Sequence, residues 1–302
     1  MTGHDGRLRT RLTNAELLET AHGFEPAPYR EALEIEISAT RDLYVAAPAD
    51  VAVRLGVEVH SVGRSTLFVA AGLPQLMFNR VELSALDSQI SSEELETSLR
   101  LFADRGVTSF VVQVDAPASG EHTRTLMAAH RLVPFRRPWL KLVRASTPLP
   151  RVESEFEVVE ATPSQANLVA TLMTQGFGLP AAAVELYRSV VGRRGWRAYL
   201  ARDPLAVTSG GGVAGVGLAF IEGTLCYLAG GVTLPEYRGR KAQRVLMHRR
   251  IEDAVQAGAT TITTETGLPL ASEENPSYRN MIHLGFRAVG TRDNYAPAGT
   301  HW

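Results

Sequence analysis

The sequence predicts an α/β protein of two tandem domains, each with a mixed, mainly antiparallel sheet flanked by helices. Three observations predict this class. The chain has 302 residues, enough for two domains of ordinary size. Helical and strand periodicities alternate along most of it. A helix, a glycine and a β-branched strand also follow one another twice, in residues 96–117 (ETSLRLFADRGVTSFVVQVDAP) and 248–269 (HRRIEDAVQAGATTITTETGLP).

The repeat extends beyond these two segments. Gly106 and Gly258, which end the two helices, lie 152 residues apart. A further helix and strand follow in each half, and Leu132 and Phe286 in corresponding turns lie 154 residues apart. A nearly constant offset across four elements indicates two copies of one domain. At the start of the first of these helices, Ser91 and Glu94 predict a capping box.

The two copies meet in residues 145–155, ASTPLPRVESE, whose two prolines and polar residues are typical of a linker. We therefore expect a first domain in residues 1–148 and a second in residues 155–302. In the second domain the pattern predicts the order βααβββαβαβ. The fourth of these strands is expected to be continuous over TLCYLAGGVT, residues 224–233.

Composition excludes several classes of function. The formal net charge is −1, with 31 basic and 32 acidic side chains, so neither a nucleic-acid nor a membrane partner is expected. The single cysteine, Cys226, allows no internal disulfide, and the N-terminus shows no signal peptide, so we expect a cytoplasmic protein. No run of about 18 apolar residues occurs, and the histidines are scattered, so no metal site is expected.

One segment carries a chemical signal. Residues 230–247, GGVTLPEYRGRKAQRVLM, predict a strand, a turn and the start of a helix. Such a junction collects backbone N–H groups where an anion can bind at a helix N-terminus. The turn contains one glycine, Gly239, and Lys241 stands where a second glycine would be expected.

The order of elements, together with VTLPEYRGRKAQRVLM and NPSYRNMIHLGF (residues 275–286), resembles the GNAT superfamily of acyl-CoA-dependent N-acyltransferases. The resemblance covers about residues 155–296, and about residues 35–145 resemble a degenerate second copy. It implies an N-acetyltransferase that takes an acyl group from acetyl-CoA, or a similar acyl-CoA, as co-substrate. The implied acceptor is a small-molecule amine, and the implied state is a monomer or homodimer.

The resemblance also assigns residues to the coenzyme. The strand positions that pair with pantetheine are Gly231, Val232 and Thr233, and the pyrophosphate turn is Arg238, Gly239, Arg240, Lys241, Ala242, Gln243 and Arg244. Asn275 and Asn280 are further coenzyme-binding candidates on the last helix. The family's turn usually reads Arg/Gln-x-x-Gly-x-Gly/Ala, so Lys241 and Gln243 replace its two glycines. We expect Lys241 to lie in the first helical turn with a negative φ, where no glycine is needed, and to approach the phosphates together with Arg240.

Catalytic candidates follow from what acyl transfer requires, namely a proton acceptor and a proton donor. The tyrosine that many family members use as donor is replaced by Met281, which leaves Tyr278 as the nearest hydroxyl. Glu265, at the end of a strand where the central strands are expected to part, is the preferred base. Glu222, in a hairpin, is the weaker candidate, and a solvated or capping carboxylate is the alternative for both.

Other residues were weighed for the acceptor cleft or for covalent chemistry. Cys226 has no His or carboxylate partner in the sequence pattern and is disfavoured as a nucleophile. Tyr295, Phe78, Asn79 and Trp139 are candidates for lining an acceptor cleft, with a structural role as the alternative for each.

The first domain lacks the turn and is expected to bind no coenzyme. Two other functions stay open. One is a catalytically inactive GNAT-fold protein that binds acyl-CoA or another ligand as a sensor or structural partner. The other is a different acyl-CoA enzyme, such as a decarboxylase, or an aminoacyl transferase that uses another donor.

Overall fold

A computed structural model of the protein describes residues 24–83, 89–115, 120–206, 212–270 and 272–300. Within these ranges thirteen strands form one sheet, and eight α-helices cover its two faces. None of the described helices combines the length and the apolar character that crossing a bilayer requires.

The first half of the chain contains four helices and six strands. In order they are α1 (Pro26–Val45), α2 (Ala49–Leu55), β1 (Val57–Val62), β2 (Ser65–Ala70), β3 (Arg80–Leu83), α3 (Ser92–Asp104), β4 (Val111–Asp115), α4 (Glu121–Ala129), β5 (Leu132–Pro134) and β6 (Trp139–Ala145).

The second half contains four helices and seven strands. In order they are β7 (Glu157–Glu160), α5 (Ala166–Gly176), α6 (Val184–Val190), β8 (Trp196–Arg202), β9 (Val213–Glu222), β10 (Leu225–Tyr227), β11 (Gly231–Thr233), α7 (Ala242–Gln256), β12 (Thr261–Gly267), α8 (Pro276–His283) and β13 (Arg287–Pro297). In both halves two helices are followed by strands, a helix, a strand, a helix and a final strand or strand pair, which confirms the predicted fold class; the second half adds β7 at its start and divides its fourth strand into β10 and β11.

Backbone conformation follows the repeat as well. Gly106 and Gly258, which follow α3 and α7, have φ values of 67° and 97°, in the left-handed region that glycine adopts without strain. After α4 and α8 the same conformation recurs at Arg131, with φ 57°, and at Gly285, with φ 84°. The predicted capping box forms only in part. Ser91 Oγ accepts from the Glu94 N–H at 3.3 Å, but the Glu94 carboxylate accepts from Ser65 and Arg64 instead.

The sheet is mixed, with strand order β1-β2-β3-β4-β13-β6-β12-β10-β9-β8-β7, while β11 pairs with β9 and β5 with β13. Only β3–β4 and β10–β12 are parallel among the described pairs, one in each half. On one face lie α1, α2, α5 and α6, which share an apolar core with the sheet. On the other face α7 and α8 pack in the second half and α3 and α4 in the first.

The two halves exchange strands at the centre of this sheet. Strand β6, from the first half, lies between β12 and β13 of the second. Strand β13 in turn continues past β6 to pair with β4 and β5 of the first half. The sheet therefore has no break at the linker, and the boundary near residues 148–155 stays a prediction.

Candidate active site

Two central strands of the second half part from one another. Strand β10 pairs in parallel with β12 only as far as Tyr227, which lies opposite Thr263. One more backbone hydrogen bond follows, from Leu228 N to the Thr263 carbonyl at 2.9 Å. The strand is then interrupted and continues as β11. Within the described chain β11 pairs only with β9, so its edge towards β12 keeps unpaired backbone groups. The single strand predicted over residues 224–233 is therefore two strands, and the break opens a cleft.

Arg250 of α7 stabilises the interruption between β10 and β11. Its Nη1 donates to the carbonyls of Leu218, on β9, and Gly230, immediately before β11, at 2.9 and 2.8 Å. Burial lowers the pKa of Arg250 to about 10, so it stays protonated at neutral pH. A Cβ on Gly217 would lie 2.8 Å from the Arg250 guanidinium carbon, so glycine is required there. The role of Arg250 was not predicted from the sequence. The feature of the sequence that points to it is the glycine at position 217.

Gly231, Val232 and Thr233 form β11 and lie at the open edge, as the family pattern implied. The Thr233 hydroxyl is buried, and no described residue is its hydrogen-bond partner. An orphaned buried hydroxyl is unusual in a native protein and fits a site completed by a ligand.

The turn before α7 keeps free backbone donors. The first hydrogen bond inside the helix runs from Val245 N to the Lys241 carbonyl at 3.1 Å. The N–H groups of Gly239, Lys241, Ala242 and Gln243 reach no acceptor in the described chain. A Cβ added at Gly239 would meet open space, so the turn is not filled by other residues. These donors can bind an anion at the helix N-terminus.

The expected conformation of Lys241 is wrong. Lys241 is the N-cap of α7 and has φ 71° and ψ 8°, in the left-handed region, instead of lying in the first helical turn. A lysine in this conformation carries backbone strain that a glycine would not. The left-handed conformation therefore explains the family's preference for glycine near this position. Lys241 adopts that conformation with strain.

The side chains of the turn are engaged by carboxylates and by the linker. Arg240 donates to Glu155 and Asp203, at 2.8 and 2.9 Å, and its guanidinium lies over the rings of Phe156 and Tyr237. Lys241 Nζ donates to a linker carbonyl, that of residue 153, at 3.3 Å. We call residues 153–156 the linker strap. Between the strap and the turn lies an open cavity of about 420 Å³.

The remaining coenzyme candidates hold α7, α8 and β12 together. Asn280 donates to Gln243 Oε1 at 2.7 Å and accepts from Arg244 Nε at 3.1 Å, which joins the two helices. Asn275 is the N-cap of α8, because its Oδ1 accepts from Tyr278 N at 2.9 Å, and it donates to the carbonyl that ends β12. Arg238 is exposed in the turn.

Several candidates lie inside the core. Tyr278 is fully buried, at 0% exposure, in the apolar cluster beneath α7 and α8, and Met281 belongs to the same cluster. Cys226 is buried there too, and burial raises the pKa of its thiol to about 12. Tyr295 belongs to the core of the first half. These side chains are placed for packing and not at the open edge of β11.

Three other candidates divide between structure and surface. Phe78 is buried in the core, and Asn79 accepts from Ala70 N and donates to the Leu73 carbonyl, which fixes the loop before β3. Trp139, at the start of β6, is 37% exposed and is the one of the three that offers an apolar surface to solvent.

Glu265 lies where the strands part, two residues beyond Thr263 on β12. Tyr227 Oη donates to its Oε1 at 3.0 Å, and Lys141 Nζ donates to its Oε2. Its side chain is 20% exposed, whereas that of Lys141 is 2% exposed. Glu222, by contrast, accepts from Ser38 Oγ at 2.6 Å at an exposed hairpin and is not at the cleft.

Glu265 is also the exposed end of a larger group of charges beneath α1. We call this group the buried charge cluster; it consists of Glu36, Arg80, Glu82, Asp115, Lys141 and Arg292. Burial alone would raise the pKa of Glu36, but Lys141, Arg292 and Arg80 outweigh it and hold this pKa at about 2. The sequence reasoning missed the cluster. Its only sequence signal is a charged residue at an inward position of an apolar strand, such as Lys141 in WLKLV.

The comparisons with known proteins agree with this geometry. A model of the acetyltransferase (GNAT) domain matches residues 136–267, from just before β6 to the end of β12. The matched range includes the parted strands, the turn and Glu265, and it crosses the predicted linker. This central part of the chain therefore matches the GNAT acetyltransferase family.

Solved GNAT structures share the fold over nearly the whole chain. A GCN5-related N-acetyltransferase from Kribbella flavida is 15% identical, with 86% of this chain and 96% of that one covered and a TM-score of 0.58. One from Sphaerobacter thermophilus is 16% identical over 90% and 93%, with a TM-score of 0.58. A tandem GNAT protein from the clavulanic acid biosynthesis pathway is 17% identical over 96% of both chains, with a TM-score of 0.56. No curated protein matches the chain.

In the first half, strands β3 and β4 are paired in parallel from Arg80 opposite Val111 to Leu83 opposite Val114, and Leu83 is the last described residue of that segment. The corresponding strands of the second half part after three pairs. Within the described ranges, no three His, Cys, Asp or Glu side chains are arranged to hold a metal ion.

Proposed function

We propose that this GNAT protein transfers an acyl group from acetyl-CoA, or a similar acyl-CoA, to the amine of a small-molecule acceptor. The observation that carries the proposal is the parting of β11 from β12 with Glu265 at the opening. This arrangement offers a free strand edge for an extended ligand and a partly exposed carboxylate beside it.

The residues at the cleft fit an acyl-CoA co-substrate. The pantetheine arm would bond to the unpaired edge of β11, where the Thr233 hydroxyl lacks a protein partner. The pyrophosphate would accept from the backbone N–H groups of residues 239–243 at the N-terminus of α7. These groups are backbone donors, so the binding does not depend on Arg240, whose guanidinium is held by carboxylates.

The proposed reaction requires one side chain to act directly, that of Glu265. The acceptor nitrogen attacks the thioester carbonyl carbon, a C–N bond forms, and the C–S bond breaks. Glu265 takes the proton that the amine loses, and a backbone N–H of β11 stabilises the negative charge that develops on the carbonyl oxygen. The coenzyme thiolate leaves and takes a proton from solvent, because Met281 carries none and Tyr278 is buried.

The proposed acceptor is an amine, because acyl transfer to nitrogen releases a proton that the Glu265 carboxylate can take. We place the activity in the cytoplasm, where acyl-CoA donors are available, in keeping with a chain that contains one cysteine. Neither nucleic acid nor membrane enters the proposed reaction.

A second function is favoured by a specific observation. Glu155 and Asp203 lie within hydrogen-bond distance of Arg240 in the turn, so two carboxylates stand near the proposed phosphate site. Negative charge there opposes phosphate binding. This favours, as the alternative, an inactive GNAT-fold protein that binds acyl-CoA weakly, or another ligand, as a sensor or structural partner.

The test is turnover of acetyl-CoA with a panel of polyamines, amino sugars and amino-acid amides, followed by thiol release. We expect transfer to at least one amine, and a loss of kcat/KM of about 10²-fold or more in Glu265→Gln. Glu222→Gln, an exposed carboxylate of the neighbouring hairpin, is the control and should keep the wild-type rate. Binding of CoA without transfer to any amine would instead support the sensor function. If neither CoA nor acetyl-CoA changes the melting temperature, the acyltransferase and an acyl-CoA sensor are both rejected, and only a sensor of another ligand remains.

A further inference from the structure

The strand exchange brings a lysine of the first half against the proposed base of the second. In the antiparallel pair of β6 and β12, Lys141 lies directly opposite Glu265. Directly opposed residues on neighbouring strands have their Cβ atoms about 5 Å apart, which is the range of side-chain contact. Lys141 Nζ donates to Glu265 Oε2 and also to Glu36 Oε2 on α1. The ammonium group of Lys141 therefore links β6 and α1 of the first half to Glu265 at the cleft of the second half.

We propose that Lys141 is a positioning residue for Glu265 and that Glu36 anchors Lys141 for this task. The inference rests on the proposed function, because it assigns the role through the base of that reaction. Lys141 touches neither co-substrate nor acceptor in this proposal; it acts by fixing the orientation of the Glu265 carboxylate.

Burial explains why the lysine is held so firmly. Its side chain is 2% exposed, and an ammonium group out of water is tolerated only when carboxylates satisfy it. Glu36 is 3% exposed and also faces Arg80 and Arg292, at 3.7 and 3.8 Å, so it cannot move out to solvent without leaving three cations. Among these side chains Glu265 is the most exposed, at 20%, and Arg80 follows at 13%. Glu36, at one end of these contacts, is inside the protein, and Glu265, at the other end, is at the cleft.

The contacts fix Glu265 from both sides. Lys141 donates to one carboxylate oxygen and Tyr227 to the other, so rotation of the carboxylate would break a hydrogen bond. Catalytic groups need this kind of support, since a misplacement of about 1 Å can cost about 10²-fold in rate.

The charged and titratable groups around Glu265 come from five elements. Lys141 of β6 and Tyr227 of β10 bond to it directly. Glu36 of α1 and Arg292 of β13 lie behind Lys141, and Arg80 of β3 acts on Glu265 through its charge. Removal of Lys141 therefore leaves Arg80 as the remaining cation near the carboxylate, and Glu36 as an added negative charge.

The experiment compares Lys141→Met with Arg144→Met in the acetyl-CoA assay, with the best amine of the panel as acceptor. Arg144 is a buried cation of the same strand that bonds only to the carbonyl of Ala145 and to Thr147, so it is a matched control. We expect Lys141→Met to lower kcat by about 10- to 100-fold with an unchanged KM for acetyl-CoA. Arg144→Met should change the melting temperature but not kcat.

A double-mutant cycle separates positioning from general stabilisation. In a Glu265→Gln background, Lys141→Met should lower kcat no further, because the group that it positions is already gone. If Lys141→Met does not fold, Glu36→Gln/Lys141→Met replaces it. That double variant removes one acid and one base, so the net charge of the buried charge cluster is unchanged. It should fold and still lose the rate.

The possible failures are distinct. Wild-type kcat in the folded Lys141 variant, together with an inactive Glu265→Gln, would overturn the positioning role and leave the proposed function intact. A further fall of kcat in the Glu265→Gln background would also overturn it. Full activity of Glu265→Gln itself would instead remove the proposed base, and with it the proposed mechanism.

Discussion

Lys241 shows how one residue's backbone conformation decides the character of the phosphate turn. A non-glycine residue with φ 71° costs about 1–2 kcal/mol relative to the right-handed region. The local sequence cannot distinguish a helix that begins at residue 241 from one that begins at 242. That single-residue difference changes the required φ from negative to positive. The strain at Lys241 lies directly beside the free N–H groups of the turn.

Lys241→Gly is therefore expected to stabilise the protein. Relief of the left-handed strain is partly offset by the larger conformational entropy of glycine in the unfolded chain, which leaves a gain of about 1 kcal/mol or less. Thermal unfolding should show a rise in melting temperature of about 2 °C. Ala242→Gly, one residue along in α7, is the control and should lower the melting temperature. Equal losses in the two variants would contradict the strain argument.

At the scale of elements, the linker strap and the loop that contains Asp203 compete with a phosphate ligand for the turn. Glu155, from the strap, and Asp203, after β8, both accept from Arg240. Both carboxylates are within hydrogen-bond distance of a group that would otherwise be free to face an anion. The linker strap therefore contacts the turn at which the co-substrate is proposed to bind.

Removal of these carboxylates should tighten CoA binding. In Glu155→Gln/Asp203→Asn, the guanidinium of Arg240 is released and two negative charges are lost from the phosphate side. We expect a several-fold lower Kd by calorimetry at low ionic strength, and a smaller gain at high ionic strength, because salt screens exposed charges. Glu157→Gln, an exposed carboxylate close by on β7, is the control. An unchanged or weaker affinity in the double variant would show that Arg240 and its partners do not bear on the phosphate site.

For the whole molecule, the exchange of β6 and β13 makes one folding unit out of two repeated halves. The second half needs β6 between β12 and β13, and the first needs β13 beside β4. We expect one cooperative unfolding transition of the intact chain, with circular dichroism and tryptophan fluorescence giving coincident curves. Trp139 lies on the exchanged strand β6 and Trp196 on β8 of the second half, while circular dichroism reports on both halves.

A fragment of residues 155–302 lacks β6 and should not give a folded monomer, whereas residues 136–302 retain it and should be the more soluble fragment. Light scattering and circular dichroism of the two fragments test this. A stable monomeric fragment of residues 155–302 would show that the exchange is dispensable.

The buried charge cluster gives the whole fold a defined response to acid. The pKa of Glu36 is about 2 in the folded protein, below the 4.5 of an ordinary glutamate. The stabilisation is therefore fully present above pH 4.5 and is lost as the pH falls from there towards about 2. Urea unfolding should show a constant contribution near neutral pH and a loss of stability below pH 4.5. Glu36→Gln should be less stable at neutral pH and should lose less on acidification; an identical acid dependence would contradict this assignment.

The sequence by itself determined the types and order of the elements, the repeat and the fold class. Periodicity, glycine stops and caps are local signals, and they hold at Gly106, Gly258 and Gly285. It also placed Glu265 at the end of its strand. Its coenzyme assignments at the turn and its choice of acceptor remain predictions, because they depend on ligands and on loops that local patterns do not fix.

Only the tertiary structure decided which strand completes which half. Two copies with similar strands can pair within or between halves, and local propensity is the same for both arrangements. The pairing of Lys141 with Glu265, 124 residues apart, and the hold of Arg250 on the broken strand follow from that choice. So does the buried charge cluster. Charges far apart in sequence are buried together only when the sheet and α1 enclose them, since the cost of desolvation is met by partners that the fold brings into contact.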